Sequence, residues 1–219
     1  MSIRNHDNNS VVANSDFKGR VFLKLHYLRL NFFSVFYSAF NKLTWNLKGI
    51  EMIGSSRFFG FAKACRFPGS KIIIGEECTF RSDKYSNLIG VNRNCILSTH
   101  SSQAIIKIGN NCGFSGVSIG CSNSITLGNN VLVGANVLIT DFDWHGIDPD
   151  KRRANSGNSA PVVIRDNVFI GVNSVIWKGV TIGKNSVIGA NSLVTKDVPE
   201  NSIYGGNPAK LIKIIDGFE

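Results

Sequence analysis

An aliphatic residue recurs at every sixth position along the C-terminal half of this chain: Leu127, Val133 and Ile139, then Ile164, Ile170, Ile176, Ile182, Ile188 and Val194. A period of six fits neither the 3.6-residue helix nor the two-residue alternation of a half-buried strand. Gly often follows the aliphatic residue (Gly128, Gly134, Gly171, Gly183, Gly189), and Asn occupies the turn (Asn130, Asn136, Asn167, Asn173, Asn185, Asn191). Both residue types tolerate positive φ. One inward aliphatic side chain followed by such a turn describes one face of a triangular coil, and three faces make a coil of roughly 18 residues. The spacing therefore predicts an all-β chain, a left-handed parallel β-helix of hexapeptide repeats.

A weaker echo lies upstream at Ile74, Val91 and Ile108, spaced by seventeen, with Cys78, Cys95 and Cys112 four residues after each. These thiols read as a ladder of small buried side chains stacked coil on coil, with no thiol chemistry. Stacked coils contact only their neighbours, so the ends need closure. Residues 198–219, with Pro199 and Asn207-Pro208, are expected to cap one end. The organisation expected is a basic, partly helical extension over 1–66 and a β-helix over 67–219, with an insertion at 140–163.

That insertion is the single long break in the period. Twenty-five residues separate Ile139 from Ile164, one repeat of six plus nineteen more. Ordering a long polar loop costs conformational entropy, and such loops commonly carry function. This one reads TDFDWHGIDPDKRRANSGNSAPVV and holds His145. An imidazole, with an ordinary pKa near about 6.5, is suited to accept a hydroxyl proton at neutral pH. Asp141 or Asp143 is the expected partner of its second nitrogen, and the sequence leaves the choice open. Ser115, with the N–H of Gly116, is a candidate donor to a developing oxyanion. Lys151, Arg152 and Arg153 offer positive charge to an anionic acceptor, or form a solvated face.

Charge and cysteine usage narrow the function. The net charge is +9, but residues 1–66 hold ten Lys or Arg against three acids, leaving the rest nearly neutral. A nucleic-acid binder would spread its charge over the binding face, so none is expected as partner. Five cysteines without a C-x-x-C pair indicate neither a disulfide framework nor a zinc site. A three-histidine metal site also lacks ligands, because only His100 and His145 fall in the coil region. The N-terminus shows Arg4 followed by polar residues and no apolar signal segment, so a cytoplasmic location is expected.

The run from Ile164 to Lys213, and above all VTKDVPENSIYGGNPAK, resembles the hexapeptide-repeat acyltransferases, which include galactoside, maltose and surface-polysaccharide O-acetyltransferases. D-x-D-W-H-G is similar to their catalytic loop. The resemblance implies acetyl-CoA as cosubstrate, a carbohydrate acceptor that is free, nucleotide-linked or lipid-linked, direct transfer in a ternary complex, and a homotrimer with each His facing a neighbour's coenzyme groove. It implies that Val172, Ala190, Thr195 and Lys196 lie along the pantetheine and nucleotide, and that Lys210 and Lys213 lie near the phosphates. Val172 replaces a small polar residue and Phe169 a common Trp. N-acetylation of an amino-sugar nucleotide, serine acetylation and a non-enzymatic membrane-associated scaffold stand as alternatives.

Upstream, Val21, Leu25, Leu28, Phe32, Phe36, Phe40 and Leu43 recur at helical spacing among Lys24, Arg29 and Lys42. The longest uncharged stretch, from Leu30 to Asn41, is too short to span a bilayer, which takes roughly 20 residues. Residues 17–47 therefore either lie in a membrane interface or pack their Phe stripe on the protein.

Overall fold

The computed structural model describes residues 16–150, 152–153 and 157–216. His6 and Lys151, the first fifteen residues of the extension and the last three of the cap lie outside them. Three parallel sheets stack as the sides of a left-handed prism. The first contains β1 (Glu51–Met52), β4 (Lys71–Ile74), β7 (Ile105–Ile108), β10 (Ser124–Leu127), β13 (Val162–Ile164) and β16 (Thr181–Ile182). The second contains β2 (Arg57–Phe59), β5 (Thr79–Arg81), β8 (Gly113–Ser115), β11 (Leu132–Ala135), β14 (Phe169–Ile170) and β17 (Val187–Ile188), and ends with β19 (Ser202–Gly205) and β20 (Lys210–Ile214). The third contains β3 (Lys63–Cys65), β6 (Ile96–Thr99), β9 (Ser118–Cys121), β12 (Leu138–Thr140), β15 (Val175–Ile176) and β18 (Leu193–Val194).

The six-residue period sets this architecture. All nine aliphatic positions point inward, none more than 3% exposed. Burying each such side chain contributes roughly 1.5–3 kcal/mol. All six turn asparagines named above have φ between 55° and 61°. The amides of three of them, Asn130, Asn167 and Asn185, join Asn111 and Asn201 in a ladder along one edge: Asn111 donates to Asn130 (2.8 Å), Asn130 to Asn167 (3.1 Å), Asn167 to Asn185 (2.9 Å) and Asn185 to Asn201 (2.8 Å). The cap closes the upper end where β19 pairs parallel to β17 and antiparallel to β20.

Two sequence readings need correction. Ile74 pairs directly with Ile108, so Val91 is no rung. The long link between β5 and β6 lengthens this coil, and an interval of seventeen carries the chain only part of the way round. Cys78 and Cys112 do stack, immediately before the paired strands β5 and β8, their thiols donating to Gly109 O (3.3 Å) and Gly128 O (3.2 Å). Cys95 precedes β6 on another side. The prism also begins at Glu51 rather than 67, because β1 to β3 form a complete coil that lacks the aliphatic–Gly signature.

Helix α1 (Phe17–Leu47) closes the lower end. The Asp16 side chain accepts from Gly19 N at 2.8 Å, an N-cap, and Gly49 at φ +71° lets the chain leave the helix. The strands β1, β2 and β3 end their sheets, so their outer N–H and C=O groups need partners. The helix supplies them. Ser38 Oγ accepts from Phe58 N (3.0 Å), Asn41 accepts from Ala62 N (3.0 Å) and donates to Gly60 O (3.1 Å), and Lys48 donates to Ala64 O (3.0 Å). Trp45 enters the core against Phe58, which continues as a stack through Phe80 and Phe114 with centroids 4.9 Å apart at each step.

Candidate active site

The insertion leaves the prism after β12 and re-enters at β13. Thr126 and Leu127 still pair with Val163 and Ile164, so the nineteen extra residues leave the coil register intact. The two ends of the loop are clipped together. Ala160 N donates to Asp141 O (2.8 Å), Asp143 N to Asn158 O (3.1 Å) and Gly157 N to Asp143 O (3.0 Å). Gly157 is required there, since a Cβ would stand 2.6 Å from that of Asp143. Lys178, on the turn after β15, reaches across to the Asp143 carboxylate and to Asn158 O (3.2 Å).

The near side of the loop is seated on the third sheet by aromatic rings. Phe142 and Trp144 pack with centroids 4.8 Å apart, and His100, at the end of β6, lies 5.0 Å from the first and 4.8 Å from the second. Trp144 lies over Gly120, where a Cβ would come within 2.5 Å of the indole. His100 also shares a 2.9 Å hydrogen bond with Ser98 Oγ. Partial burial against these rings pushes its pKa below the ordinary value, and the Asp141 carboxylate pulls the other way.

His145 follows Trp144 directly and is exposed. Its Nδ1 lies 3.3 Å from the carbonyl oxygen of Arg152. A carbonyl can only accept, so Nδ1 is the donor, which in the neutral ring leaves the lone pair on Nε2. This corrects the expectation that an aspartate orients the ring. Asp141 is fully buried, its carboxylate accepting from Ser122 N (2.7 Å), Asn123 N (2.8 Å) and the Cys121 thiol (3.2 Å). Asp143 is taken by Lys178. Among the described residues, no hydrogen bond links His145 to either carboxylate.

Ser115 lies on a different side of the prism from the one that seats the loop. It is 6% exposed on β8, in the second sheet, and its Oγ accepts from Asn87 at 3.1 Å. The Gly116 N–H is already used by Arg81 O at 2.8 Å, so it offers no donor to an oxyanion. Ser115 instead lines a surface groove of about 520 Å³ with Arg81, Leu132, Gly134 and Phe169.

The residues matched to coenzyme positions fall in separate zones. Val172 and Ala190 stack one coil apart after the second sheet, where Asn191 N donates to Val172 O (2.8 Å) and Gly171 passes tightly against Gly189 and Ala190. Lys210 and Lys213 lie on β20, which extends that same sheet, and both are exposed. Thr195 and Lys196 stand elsewhere, exposed at the end of the third sheet. None of these three lysines forms an ion pair among the described residues. No cluster of three metal-ligating side chains occurs among the described residues either.

Lys178, His100 and the Phe142–Trp144 seat escaped the sequence reading. Lys178 and His100 meet the loop from other coils, Phe142 and Trp144 meet the third sheet from the loop, and no local motif marks such contacts.

A triangular parallel prism with one histidine-bearing insertion and an antiparallel cap defines the left-handed β-helix class of transferase-like folds. The family model for the hexapeptide repeat of succinyl-transferase matches residues 105–141 and 161–196. The chain belongs to the hexapeptide-repeat acyltransferase family. It is 43% identical over 118 residues to protein CapG of Staphylococcus aureus, a match covering 52% of this chain and 69% of CapG. It is 36% identical over 143 residues to a galactoside O-acetyltransferase of Lactococcus lactis, covering 65% of this chain and 63% of the relative. A hexapeptide-repeat containing acetyltransferase from Vibrio cholerae, solved in complex with acetyl coenzyme A, superposes with a TM-score of 0.51 at 26% identity, covering 80% of this chain and 76% of that one. The chain spans between 45% and 63% of the length of the first curated relatives it matches.

Proposed function

We propose that this protein transfers an acetyl group from acetyl-CoA to a sugar hydroxyl, in the assembly of a surface polysaccharide on the cytoplasmic side of the membrane. The observation that carries the reading is an exposed imidazole with its Nδ1 proton held by a carbonyl, on a loop clamped at both ends. Nε2 takes the proton of the acceptor hydroxyl as its oxygen bonds to the acyl carbon. The same proton then passes to the departing thiolate, so the base is regenerated without a covalent enzyme intermediate. General-base assistance of this kind contributes roughly 10² to 10⁴ in rate.

The residues at hand suit the donor. Val172 and Ala190 present narrow apolar surface for a pantetheine arm, and the unpaired Lys210 and Lys213 are point charges for phosphate. Support for a sugar acceptor comes from the galactoside O-acetyltransferase relative, and for the donor from the acetyl coenzyme A complex of the Vibrio cholerae neighbour. A flat-sided prism is suited to closed three-fold packing, and we take the working unit to be a homotrimer.

The test is release of the coenzyme thiol from acetyl-CoA in the presence of a panel of sugars, free and nucleotide-linked, with wild type and His145→Ala. Sugar-dependent release that falls about 10²- to 10⁴-fold in the variant is expected. Equal release by both proteins would remove His145 as base. Release with serine but no sugar would change the acceptor class, and failure to bind acetyl-CoA would leave a scaffold.

A further inference from the structure

Helix α1 is amphipathic in the opposite sense to an ordinary surface helix. The side facing the prism is largely polar: Ser34, Ser38, Asn41 and Thr44, joined by Tyr37 and Trp45. Its polar groups complete the hydrogen bonding of the first coil, which explains why they face inward. The side facing away is apolar. Leu25, Leu28, Phe32, Val35, Leu43 and Leu47 are all exposed, Phe32 at 75% and Val35 at 72%. They recur at intervals of three and four, with one interval of eight bridged by the exposed Ala39, and so form one stripe. Phe36 and Phe40 meet Phe61 of the first coil, with centroids 6.4 and 5.0 Å apart, so the expectation that the protein itself packs the Phe stripe is met only in part and most of the outward face stays uncovered within this chain.

The charge around the stripe points to what covers it. The thirty-one residues of α1 contain Lys18, Arg20, Lys24, Arg29 and Lys42 and no Asp or Glu. At 100° per residue, Lys24 and Lys42 fall together on one flank of the stripe. A second copy of the helix would bring five cations against five with no carboxylate to pair them. The rest of the chain carries no net negative charge to offset them, with 14 basic and 12 acidic residues after position 66. No described helix is long and apolar enough to cross a membrane. A basic-flanked apolar stripe of this kind matches the interface of a bilayer rich in anionic lipid.

We propose that the outward face of α1 binds an anionic lipid surface, with Phe32, Val35 and Leu43 entering the headgroup boundary and Lys24 and Lys42 at the level of the lipid phosphates. The prism then hangs from the membrane by the polar face of its own cap. The assignment is independent of the catalytic reading, since it concerns neither the insertion nor the coenzyme residues.

The experiment is vesicle flotation of the full chain with liposomes of phosphatidylcholine alone or with about a third phosphatidylglycerol, at low and high salt. Wild type is expected to float with the anionic vesicles and to bind neutral ones roughly tenfold more weakly, with the difference collapsing in high salt. Phe32→Ser with Val35→Ser, and separately Lys24→Glu with Lys42→Glu, are each expected to weaken anionic-vesicle binding by roughly tenfold or more. All four side chains are exposed, and an unchanged circular dichroism melt controls for folding. Flotation that ignores lipid charge, or survives both pairs of substitutions, overturns the proposal. So does a wild type that never floats. A fall in oligomer mass on Phe32→Ser with Val35→Ser, measured by analytical ultracentrifugation without lipid, also overturns it by making a second copy the occupant.

Discussion

His145 Nδ1 lies 3.3 Å from the carbonyl oxygen of Arg152, a contact in which Nδ1 must donate, so that Nε2 is the free nitrogen of the neutral ring. His145→Ala is expected to lower kcat by about 10²- to 10⁴-fold while leaving the thermal melt and acetyl-CoA binding unchanged. His145→Gln, which keeps a hydrogen-bonding side chain but no comparable base, should be as inactive. Steady-state kinetics alongside calorimetric titration of acetyl-CoA separates these effects.

Asp143 and Lys178 meet across 35 residues of sequence and join the insertion to the next coil. Neither is placed at the reacting atoms, so their loss acts on loop position. Lys178→Met and Asp143→Asn are each expected to reduce kcat about tenfold, and the double variant to be no worse than either single one, because the two act as a unit. A double-mutant cycle on kcat/KM reads this out, and simple additivity would dissolve the unit.

Asp141 has the opposite profile. Its fully buried carboxylate accepts two backbone N–H groups, and a charged acceptor makes each such bond worth roughly 1.5–3 kcal/mol. Asp141→Ala removes the buried acceptor that both N–H groups and the Cys121 thiol share, and a drop of about 2–5 kcal/mol in unfolding free energy is expected. Urea denaturation measures it.

His100 sets a pH dependence. Partial burial lowers its pKa, so on acidification the unfolded chain takes up the proton first. The stability contributed by the neutral ring is complete above the ordinary histidine pKa of about 6.5 and is lost as pH falls through it toward the lower folded value. His100→Gln should flatten the fall in melting temperature between about pH 7 and pH 5. An unchanged slope would place the titration elsewhere.

Lys210 and Lys213 test the donor end. Reversing both to Glu is expected to raise KM for acetyl-CoA about tenfold with kcat within about twofold of wild type, the pattern of lost uniform binding. Dephospho-CoA derivatives should show a smaller difference between wild type and variant if the lysines meet the phosphates.

How far the sequence could be read follows from which contacts are local. Ile164 through Val194 announce themselves because each coil repeats the same inward side chain and the same Asn turn at fixed intervals. The first coil does not, since the inward Phe58 and Ala64 are followed by Phe59 and Cys65 where later coils often have Gly, and its register is set by pairing with strands some twenty to thirty residues on. His145 was legible because it sits in the single break. Its orienting partner was not: a backbone carbonyl carries no side-chain signature, so Asp141 and Asp143 drew attention that the structure assigns to a buried turn and to Lys178. The stripe on α1 was visible as a periodicity, but which way it faces depends on unpaired strand edges at the prism's end.

The return of Ile182 above Ile164 after eighteen residues makes length variation in this architecture quantised. Excising one whole turn of chain, or duplicating it, would leave every inward side chain over its counterpart and merely shorten or lengthen the column. Removing a single residue from the same stretch would rotate all that follows out of alignment. Genetic drift in size is thereby channelled either into complete storeys or into loops that, like the one bearing His145, leave and rejoin the wall without disturbing it.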